Sequence, residues 1–429
     1  MSNKRKNIMR STFTAILFLS MLFSQSLSID ECVRIALENK ASIKSAEQNT
    51  RIAKLNRTSA AGMLLPTVRA SSSFSETTYG NNSLTNENYA TGLSLNQNLF
   101  NFGNNVRNVR NSDNSYDIAK QSERQSVSNV ISNVYLYYYQ YLKNNELFII
   151  AEKKLELSSK QLDLVQSCYN LGSVSKTDYL KASVQYGTAR STLLSRKLNR
   201  ENSIEQLKNS MGIIEKDIPL KLKEKVNIEL IIPTFDTAYS IMVQNSPDLK
   251  ILDAQIKANQ LNVRSSIGSS LPSVNLSVGM NASSPEEMTS EFFEDNYIKS
   301  ANLTISIPIF SGLKNRNSVQ ISKIRLGQSK TTYNTSRINA KVELSSLINT
   351  LNNYEEIIPI YEEVLISAEE DLRLAQNKYE LGSATILELL DAQLAVLQAS
   401  STLVTTKYDA AIQLANLDKL LGTLDKKYQ

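Results

Sequence analysis

Two versions of one pentapeptide stand in this sequence, Tyr-Asn-Leu-Gly-Ser at residues 169–173 and Tyr-Glu-Leu-Gly-Ser at residues 379–383. They lie 210 residues apart. The pair Leu65-Pro66 recurs as Leu271-Pro272, at a spacing of 206 residues, and the residues around it match without a gap. Matches at two nearly equal spacings predict that the chain consists of two copies of one structural unit.

Each copy is predicted to contain the same helices in the same order. A helix of about 30 residues leads to the Leu-Pro pair, where proline ends it because it cannot donate a helical hydrogen bond. A very long helix follows later, over about Val106–Tyr169 and Leu313–Tyr379, and at 1.5 Å per residue it would reach roughly 100 Å. The Leu-Gly-Ser turn then leads to a returning helix of about 35 residues. Small and apolar residues at steps of three and four along residues 387–415 fit either a coiled coil or an ordinary helical bundle.

Between the first helix and the long helix, each copy contains two stretches with the pattern of β-strands. Residues 67–74 and 302–309 alternate between polar and apolar side chains, and the second stretch ends on Ile307 and Ile309. A period of two predicts strands with one apolar face and one polar face. The polar segments 80–88 and 284–296 are predicted to be the loops that join the strands of each pair.

The predicted domain boundaries follow the duplication. The segments are a signal peptide (1–26), a first repeat (27–212), a linker (213–233), a second repeat (234–422) and a C-terminal tail (423–429). Four basic residues precede the apolar run Thr14–Phe23, which is the pattern of a secretory signal and is too short for a transmembrane helix. Cleavage is expected after Ser26, with Ser24 and Ser28 left open.

The composition argues against an enzyme. The chain contains no histidine and only two cysteines, which removes histidine-based catalysis and the common zinc sites. It also contains no Gly-rich phosphate loop of the Walker type. We therefore expect no catalytic residues, no metal and no cofactor. The formal net charge of +5 falls to +1 without the four basic residues of the signal peptide, so a nucleic-acid partner is not expected.

Four amphipathic strands per chain imply a partner. Strands of about 10 residues can cross a bilayer when tilted, with one side facing lipid and the other facing water. A four-stranded sheet has two open edges, and open edges cannot face lipid because their backbone groups would remain unpaired. Closure therefore needs more than one chain, and two, three or four copies would each satisfy this requirement.

The order and duplication of these elements resemble those of the TolC family of bacterial outer-membrane efflux and secretion channels. The segment most similar to that family is residues 379–392, Tyr-Glu-Leu-Gly-Ser-Ala-Thr-Ile-Leu-Glu-Leu-Leu-Asp-Ala. The resemblance implies a mixed α+β membrane protein that assembles as a homotrimer. Four strands per protomer would form a 12-stranded transmembrane β-barrel in outer-membrane lipid, and the helices would form an α-helical coiled-coil barrel across the periplasm.

The resemblance also implies a function. The trimer would be the channel-tunnel of a tripartite efflux or type I secretion system, and it would passively conduct substrates from an inner-membrane pump to the exterior. A periplasmic adaptor protein would link pump and channel, and the periplasmic end of the tunnel would open like an iris. Two alternatives remain, a periplasmic adaptor and a non-channel helical scaffold, although the duplicated strand pairs argue against both.

The residues near the two turns are the candidate site. The resemblance implies that the turns form a tip that binds the adaptor, through Leu171, Gly172, Ser173, Leu381, Gly382 and Ser383. Glu388 and Asp391 are three residues apart and share a helix face, so three chains would bring six carboxylates to one constriction. Asp178 and Tyr379 match further gate positions of the family. Two departures, Ala384-Thr385 where a basic residue is common and Lys181 at the position equivalent to Asp391, suggest a more weakly locked gate.

Overall fold

The computed structural model describes residues 26–80, 84–213, 220–223, 229–285 and 297–428. The predicted signal peptide up to residue 25, much of the predicted linker and residues 286–296 of the predicted loop 284–296 lie outside the described residues. The fold has two compact units. The first comprises Met1–Ser45, Arg124–Ser246 and Ile338–Gln429, and the second comprises Ala46–Glu123 and Pro247–Arg337.

The helices and strands follow the predicted order in both copies. In chain order they are α1 (Ile29–Asn39), α2 (Ala41–Gly62), β1 (Thr67–Tyr79), β2 (Leu84–Phe100), α3 (Asn104–Asn170), α4 (Lys176–Ser210), α5 (Phe235–Asn245), α6 (Pro247–Gly268), β3 (Ser273–Ser284), β4 (Ile298–Ser306), α7 (Lys314–Glu380) and α8 (Ile386–Leu421), with a short 3₁₀ turn at Asp425–Tyr428. The two long helices have 67 residues each and begin and end within two residues of the predicted positions. Within the described ranges, none of the helices combines the length and the apolar character needed to cross a membrane.

The predicted single helix before each Leu-Pro pair is two helices, so that prediction was wrong. Lys40 separates α1 from α2 and has extended backbone angles, φ −69° and ψ 119°. Ser246 separates α5 from α6 with φ −55° and ψ 120°. In the second copy the cause is Pro247, because proline disfavours helical angles in the residue that precedes it. In the first copy Lys40 Nζ donates a hydrogen bond of 2.6 Å to the carbonyl oxygen of Asn209, which fixes the break against the end of α4.

Two strand boundaries also differ from the prediction. Residues 84–88, predicted to be loop, belong to β2, where they pair with residues 75–79 of β1. β4 ends at Ser306, so Ile307 and Ile309 lie beyond the strand. Pro308 explains this end, because proline lacks the N–H that a sheet ladder needs.

The four strands form one antiparallel sheet in the order β1-β2-β3-β4. The register places Val68, Leu95, Val278 and Ala301 in one row across all four strands. Because side chains alternate between the faces of a strand, this row and its neighbours two residues away form one largely apolar face, interrupted by Gln97 and Lys299. Among the described residues, β1 pairs with β2 alone and β4 pairs with β3 alone, so both outer edges of the sheet are open.

The helices of the second unit lie side by side in the order α2-α3-α6-α7. Arg57 of α2 forms an ion pair with Asp113 of α3. The side-chain amide of Asn111 in α3 donates to Asn262 of α6 over 2.7 Å. The hydroxyls of Ser266 in α6 and Ser322 in α7 are 2.7 Å apart. α2 and α7 are therefore the outer helices of this layer.

The helices of the first unit have the order α4-α3-α8-α7. The Arg200 guanidinium of α4 lies 3.9 Å from the ring centre of Phe148 in α3. The Tyr408 hydroxyl of α8 donates to Glu146 of α3 over 2.6 Å. Lys407 of α8 forms an ion pair of 2.6 Å with Glu362 of α7. These contacts place both helical hairpins in one layer.

Two apolar clusters form the core of the first unit. One cluster joins α1 to the middle of α3 and the end of α4, and it includes the fully buried Tyr138. The other joins α5 to α7 and α8. The predicted C-terminal tail packs on the first cluster, where the buried Asp425 carboxylate accepts hydrogen bonds of 2.8 and 3.2 Å from Arg124. The Tyr428 hydroxyl completes this contact with a hydrogen bond of 2.7 Å to Asp30.

Candidate functional site

The two Leu-Gly-Ser turns end α3 and α7 with the same backbone hydrogen bonds. Ser173 N–H donates to the carbonyl of Cys168, and Gly172 N–H donates to the carbonyl of Tyr169. Ser383 and Gly382 repeat both bonds with Lys378 and Tyr379. This pattern is a Schellman motif, which needs a left-handed residue at the position after the helix cap. The glycines supply it, with φ of +74° at Gly172 and +71° at Gly382.

Each turn carries an exposed leucine. Leu171 and Leu381 are both 82% exposed, among the highest values for large apolar residues of the described chain. Both turn glycines have open space where a Cβ would lie. The turns therefore present matching apolar side chains, and nothing within the described chain covers them.

The helices that follow the turns begin with the same capping box. In α4, Ser175 Oγ accepts a hydrogen bond of 3.2 Å from Asp178 N–H, and the Asp178 carboxylate accepts from the hydroxyl and backbone N–H of Ser175. In α8, Thr385 Oγ1 accepts from Glu388 N–H over 3.3 Å, and the Glu388 carboxylate accepts from Thr385 N–H over 2.9 Å. The two predicted gate acids thus satisfy N–H groups that a helix start leaves without a partner.

The capping bonds also set the electrostatics of Asp178. Its carboxylate is fully exposed, and the hydrogen bonds from the Ser175 hydroxyl and then from the Ser175 backbone hold the pKa of this carboxyl below its ordinary value. Hydrogen bonds to the ionised form favour that form. Asp178 is therefore a charged capping group at neutral pH.

The two turns differ in their aromatic contacts. The rings of Tyr169 and Tyr179 stack with their centres 5.6 Å apart and their planes at 14°. In the second copy Leu389 occupies the position equivalent to Tyr179, so Tyr379 has no such stack. Tyr379 is 43% exposed.

Asp391 lies one turn further along α8 and lines an open groove of about 470 Å³. The groove is also lined by Lys154 of α3 and Arg196 of α4. The predicted constriction acid therefore has cationic neighbours within its own chain, which the sequence pattern did not indicate.

The four predicted gate residues are not linked to one another in the single chain. Among the described residues, no hydrogen bond or ion pair joins any two of Asp178, Tyr379, Glu388 and Asp391. The capping role of Asp178 and Glu388 was missed, although the patterns Ser-x-x-Asp at 175–178 and Thr-x-x-Glu at 385–388 would have indicated it. Within the described part of the chain, no group of three or more acidic or cysteine side chains is placed to hold a metal ion.

The chain contains two helical hairpins and two strand pairs, and the strand pairs together form one antiparallel sheet. This arrangement defines a class of proteins in which two repeats build the helices and the sheet together. The model of the outer membrane efflux protein family matches residues 32–213 and 238–423. The chain therefore belongs to the outer membrane efflux protein family. Membership of this family makes it an outer-membrane protein.

Curated relatives are distant in sequence. The chain is 21% identical to outer membrane protein TolC of Escherichia coli over 322 residues, which cover 72% of this chain and 64% of that protein. It is 23% identical to the cation efflux system protein CusC of Escherichia coli over 356 residues, which cover 82% of this chain and 76% of that protein. The match to TolC thus spans less than two thirds of the length of that relative.

Solved structures show the same fold. A crystal structure of CusC superposes with a TM-score of 0.80 at 21% identity, over 92% of each chain. The CmeC outer membrane channel of Campylobacter jejuni superposes with a TM-score of 0.82 at 18% identity, over 92% of this chain and 85% of that chain.

Proposed function

We propose that the protein is the outer-membrane channel of a tripartite efflux or type I secretion system, and that it passively conducts solutes delivered by an inner-membrane pump. The observation that carries the proposal is the sheet, which has one largely apolar face and two open edges. Such a sheet becomes stable in lipid when its edges pair with further copies. No catalytic chemistry is needed for this role.

The proposed assembly is a homotrimer. Three copies would supply twelve strands to one closed barrel, with the row of Val68, Leu95, Val278 and Ala301 on the lipid side. The outer helices α2 and α7 of neighbouring copies would then meet, so that the helical layers close into one tunnel. Family membership supports this arrangement, and the edge positions of β1, β4, α2 and α7 are compatible with it.

The two turns are the proposed docking tip for a periplasmic adaptor protein. Leu171 and Leu381 offer exposed apolar anchors, flanked by the glycines and serines of the two turns. Small residues beside a large apolar side chain allow a partner helix to approach closely. Because each chain has two turns, a trimer would have six of them.

The proposed gate lies just beyond the tip, at Glu388 and Asp391. Three copies would bring six carboxylates to one axis, where they would attract cations and repel anions. Asp178 and Tyr379 would line the same region. The capping bonds of Asp178 and Glu388 support the gate indirectly, because they hold both carboxylates at the start of a helix and limit their rotamers.

Single-channel conductance of the extracted protein in a planar bilayer tests the proposal. We expect small cation-selective currents from the native protein, and larger currents from a Glu388→Ala/Asp391→Ala variant. Equal currents from both proteins would remove the carboxylate gate and keep the channel. A folded oligomer that carries no current would contradict the channel function itself.

A further inference from the structure

A groove of about 370 Å³ lies between α3 and α6, within the second unit. Its lining includes three cations, Arg110, Lys257 and Arg264, but only one carboxylate, that of Asp113. This carboxylate already forms an ion pair with Arg57 of α2. The groove therefore has a net positive charge, and we call it the basic groove.

The two arginines of the basic groove have no counter-ion in the described part of the chain. Lys257 forms an ion pair of 2.8 Å with Asp253, one turn away on the same helix. Arg110 and Arg264 are exposed, and no ion pair joins either of them to a described carboxylate. A guanidinium group can donate two parallel hydrogen bonds to the oxygens of a phosphate. Two such groups in one groove therefore suit a phosphate ligand.

The basic groove opens on one of the two free walls of α3. Neighbouring helices α2 and α6 cover the other two sides of this helix. Asn108 and Ser115 are exposed on one free wall, and Val106, Arg110 and Asp117 are exposed on the other. At about 100° per residue the two sets point roughly 180° apart. One wall of α3 is thus uncharged near the sheet, and the opposite wall carries the basic groove.

A contact with the sheet shows which wall continues which face of the sheet. The side-chain amide of Asn105 in α3 donates to Asn98 of β2 over 3.4 Å. Asn98 pairs with Asn275 on the polar face of the sheet. Along α3, the direction of Asn105 differs by about 60° from that of Asn108 and by about 140° from that of Arg110. The uncharged wall therefore continues the polar face, and the wall with the basic groove continues the largely apolar face.

Exposed apolar side chains lead from this face of the sheet to the basic groove. Phe100 pairs with Val274 on the largely apolar face, and its ring centre lies 4.9 Å from that of Phe102. Val106 follows in the first turn of α3 and is 47% exposed. Aromatic side chains at strand ends are typical of the boundary between hydrocarbon and headgroups. The end of the sheet next to the helices therefore has the character of a membrane interface.

The arginines lie at the depth of lipid headgroups relative to this interface. Along the helix axes, Arg110 is about 9 Å from the start of α3, and Arg264 is about 6 Å from the end of α6. A headgroup layer is roughly 5–8 Å thick. In addition, α3 and α6 are the inner helices of their layer, so a neighbouring copy that packs on α2 or α7 leaves the basic groove open.

We propose that the basic groove binds the headgroup of an anionic phospholipid, such as phosphatidylglycerol, from the periplasmic leaflet of the outer membrane. The inference rests on the proposed function, because it needs the largely apolar face of the sheet to lie in lipid. Basic residues next to a bilayer attract anionic headgroups. Because the basic groove lies on the outer wall, its charge does not oppose the carboxylates of the proposed gate.

The test is native mass spectrometry of the extracted protein with added phosphatidylglycerol or with phosphatidylcholine of identical acyl chains. The groove variant is Arg110→Gln/Arg264→Gln, and Arg110→Lys/Arg264→Lys keeps the charge. The matched control is Arg190→Gln/Lys197→Gln, which removes two exposed cations from α4. This helix belongs to the first unit and is joined to no strand.

We expect the native protein to retain one phosphatidylglycerol per chain and to bind it roughly fivefold more tightly than phosphatidylcholine. The groove variant should lose this preference, whereas the lysine variant and the control should keep most of it. The preference should also weaken as the salt rises from 0.1 M to 1 M, since the Debye length falls from about 10 Å to about 3 Å.

Equal binding of the two lipids by the native protein would overturn the inference, and so would an unchanged preference in the groove variant. An equal loss in the control would overturn it as well, because net charge alone would then explain the binding. A groove variant with altered ion selectivity in planar bilayers and unchanged lipid binding would place the groove in the lumen. That result would overturn the inference and keep the channel. Folded oligomers that carry no current would contradict the proposed channel function alone, because the lipid count does not depend on conduction.

Discussion

The acidic residues that follow the two turns act first on the helices to which they belong. Asp178 and Glu388 occupy the third position of α4 and α8, and each accepts a hydrogen bond from the backbone of the capping residue. A carboxylate near a helix N-terminus also interacts favourably with the helix dipole. The negative charge of these residues therefore stabilises the start of its own helix, independently of any role in an assembly.

Acidification should loosen the start of α4. Because the folded-state pKa of Asp178 is lowered, its cap stabilises the helix above the ordinary carboxyl pKa and is lost as the pH falls through the lowered value. We expect hydrogen exchange of residues 176–179, corrected for intrinsic rates, to rise below about pH 4. An Asp178→Asn variant should exchange faster already at pH 7, and amides near buried Ala189 in the same helix provide the control. Equal exchange in both proteins at all pH values would contradict this role.

For single residues, the sequence predicted the two glycine turns better than the roles and neighbours of the acidic residues that follow them. A glycine after a long helical pattern identifies a left-handed cap, and both Gly172 and Gly382 have that conformation. The neighbours of Asp391 could not be predicted, because Lys154 and Arg196 are remote in sequence and reach the same groove through helix packing.

The helices α3, α4, α7 and α8 all end at a glycine with positive φ, yet the surroundings of these glycines differ. Gly382 has open space around its missing Cβ, whereas a Cβ on Gly422 would lie 2.6 Å from the carbonyl oxygen of Asn245. The turn at the end of α7 is therefore shaped by its own backbone alone. The end of α8 is also shaped by the close approach of α5.

This difference can be measured with two substitutions of the same kind. Gly382→Ala should cost about 1 kcal/mol, the strain of a left-handed alanine. Gly422→Ala should cost about 1–3 kcal/mol more, because the backbone of Asn245 must also move. The thermal midpoints of the two extracted variants give the comparison. Equal midpoints, or a lower midpoint for Gly382→Ala, would contradict it.

Helices and strands were predictable where the neighbouring residues of the sequence mark their ends. The two 67-residue helices lie between a strand and a Leu-Gly-Ser turn, and both of their ends were predicted to within two residues. The start of β2 was missed because residues 84–88 have a polar, loop-like composition and become strand by pairing with residues 75–79. The end of β4 was missed although Pro308 marks it, because the alternation of isoleucines continues past the proline.

At the scale of the whole molecule, the unpaired edges of the sheet and of the helical layer both lie at the outermost elements. β1 and β4 are the outer strands of the sheet, and α2 and α7 are the outer helices of one layer. The first and second repeats thus each contribute one strand edge and one helix edge. Further copies of the same chain would cover all of them, which is the basis of the proposed trimer. The division of the chain into repeats at residues 27–212 and 234–422 stays a prediction.

Native mass spectrometry of the protein extracted from outer membranes tests the central claim most directly, because every functional proposal depends on copies that close the sheet. We expect one species with the mass of three mature chains, stable without cross-linking. Folded single chains in gentle detergent would contradict the account, since β1 and β4 would then have to tolerate open edges in lipid.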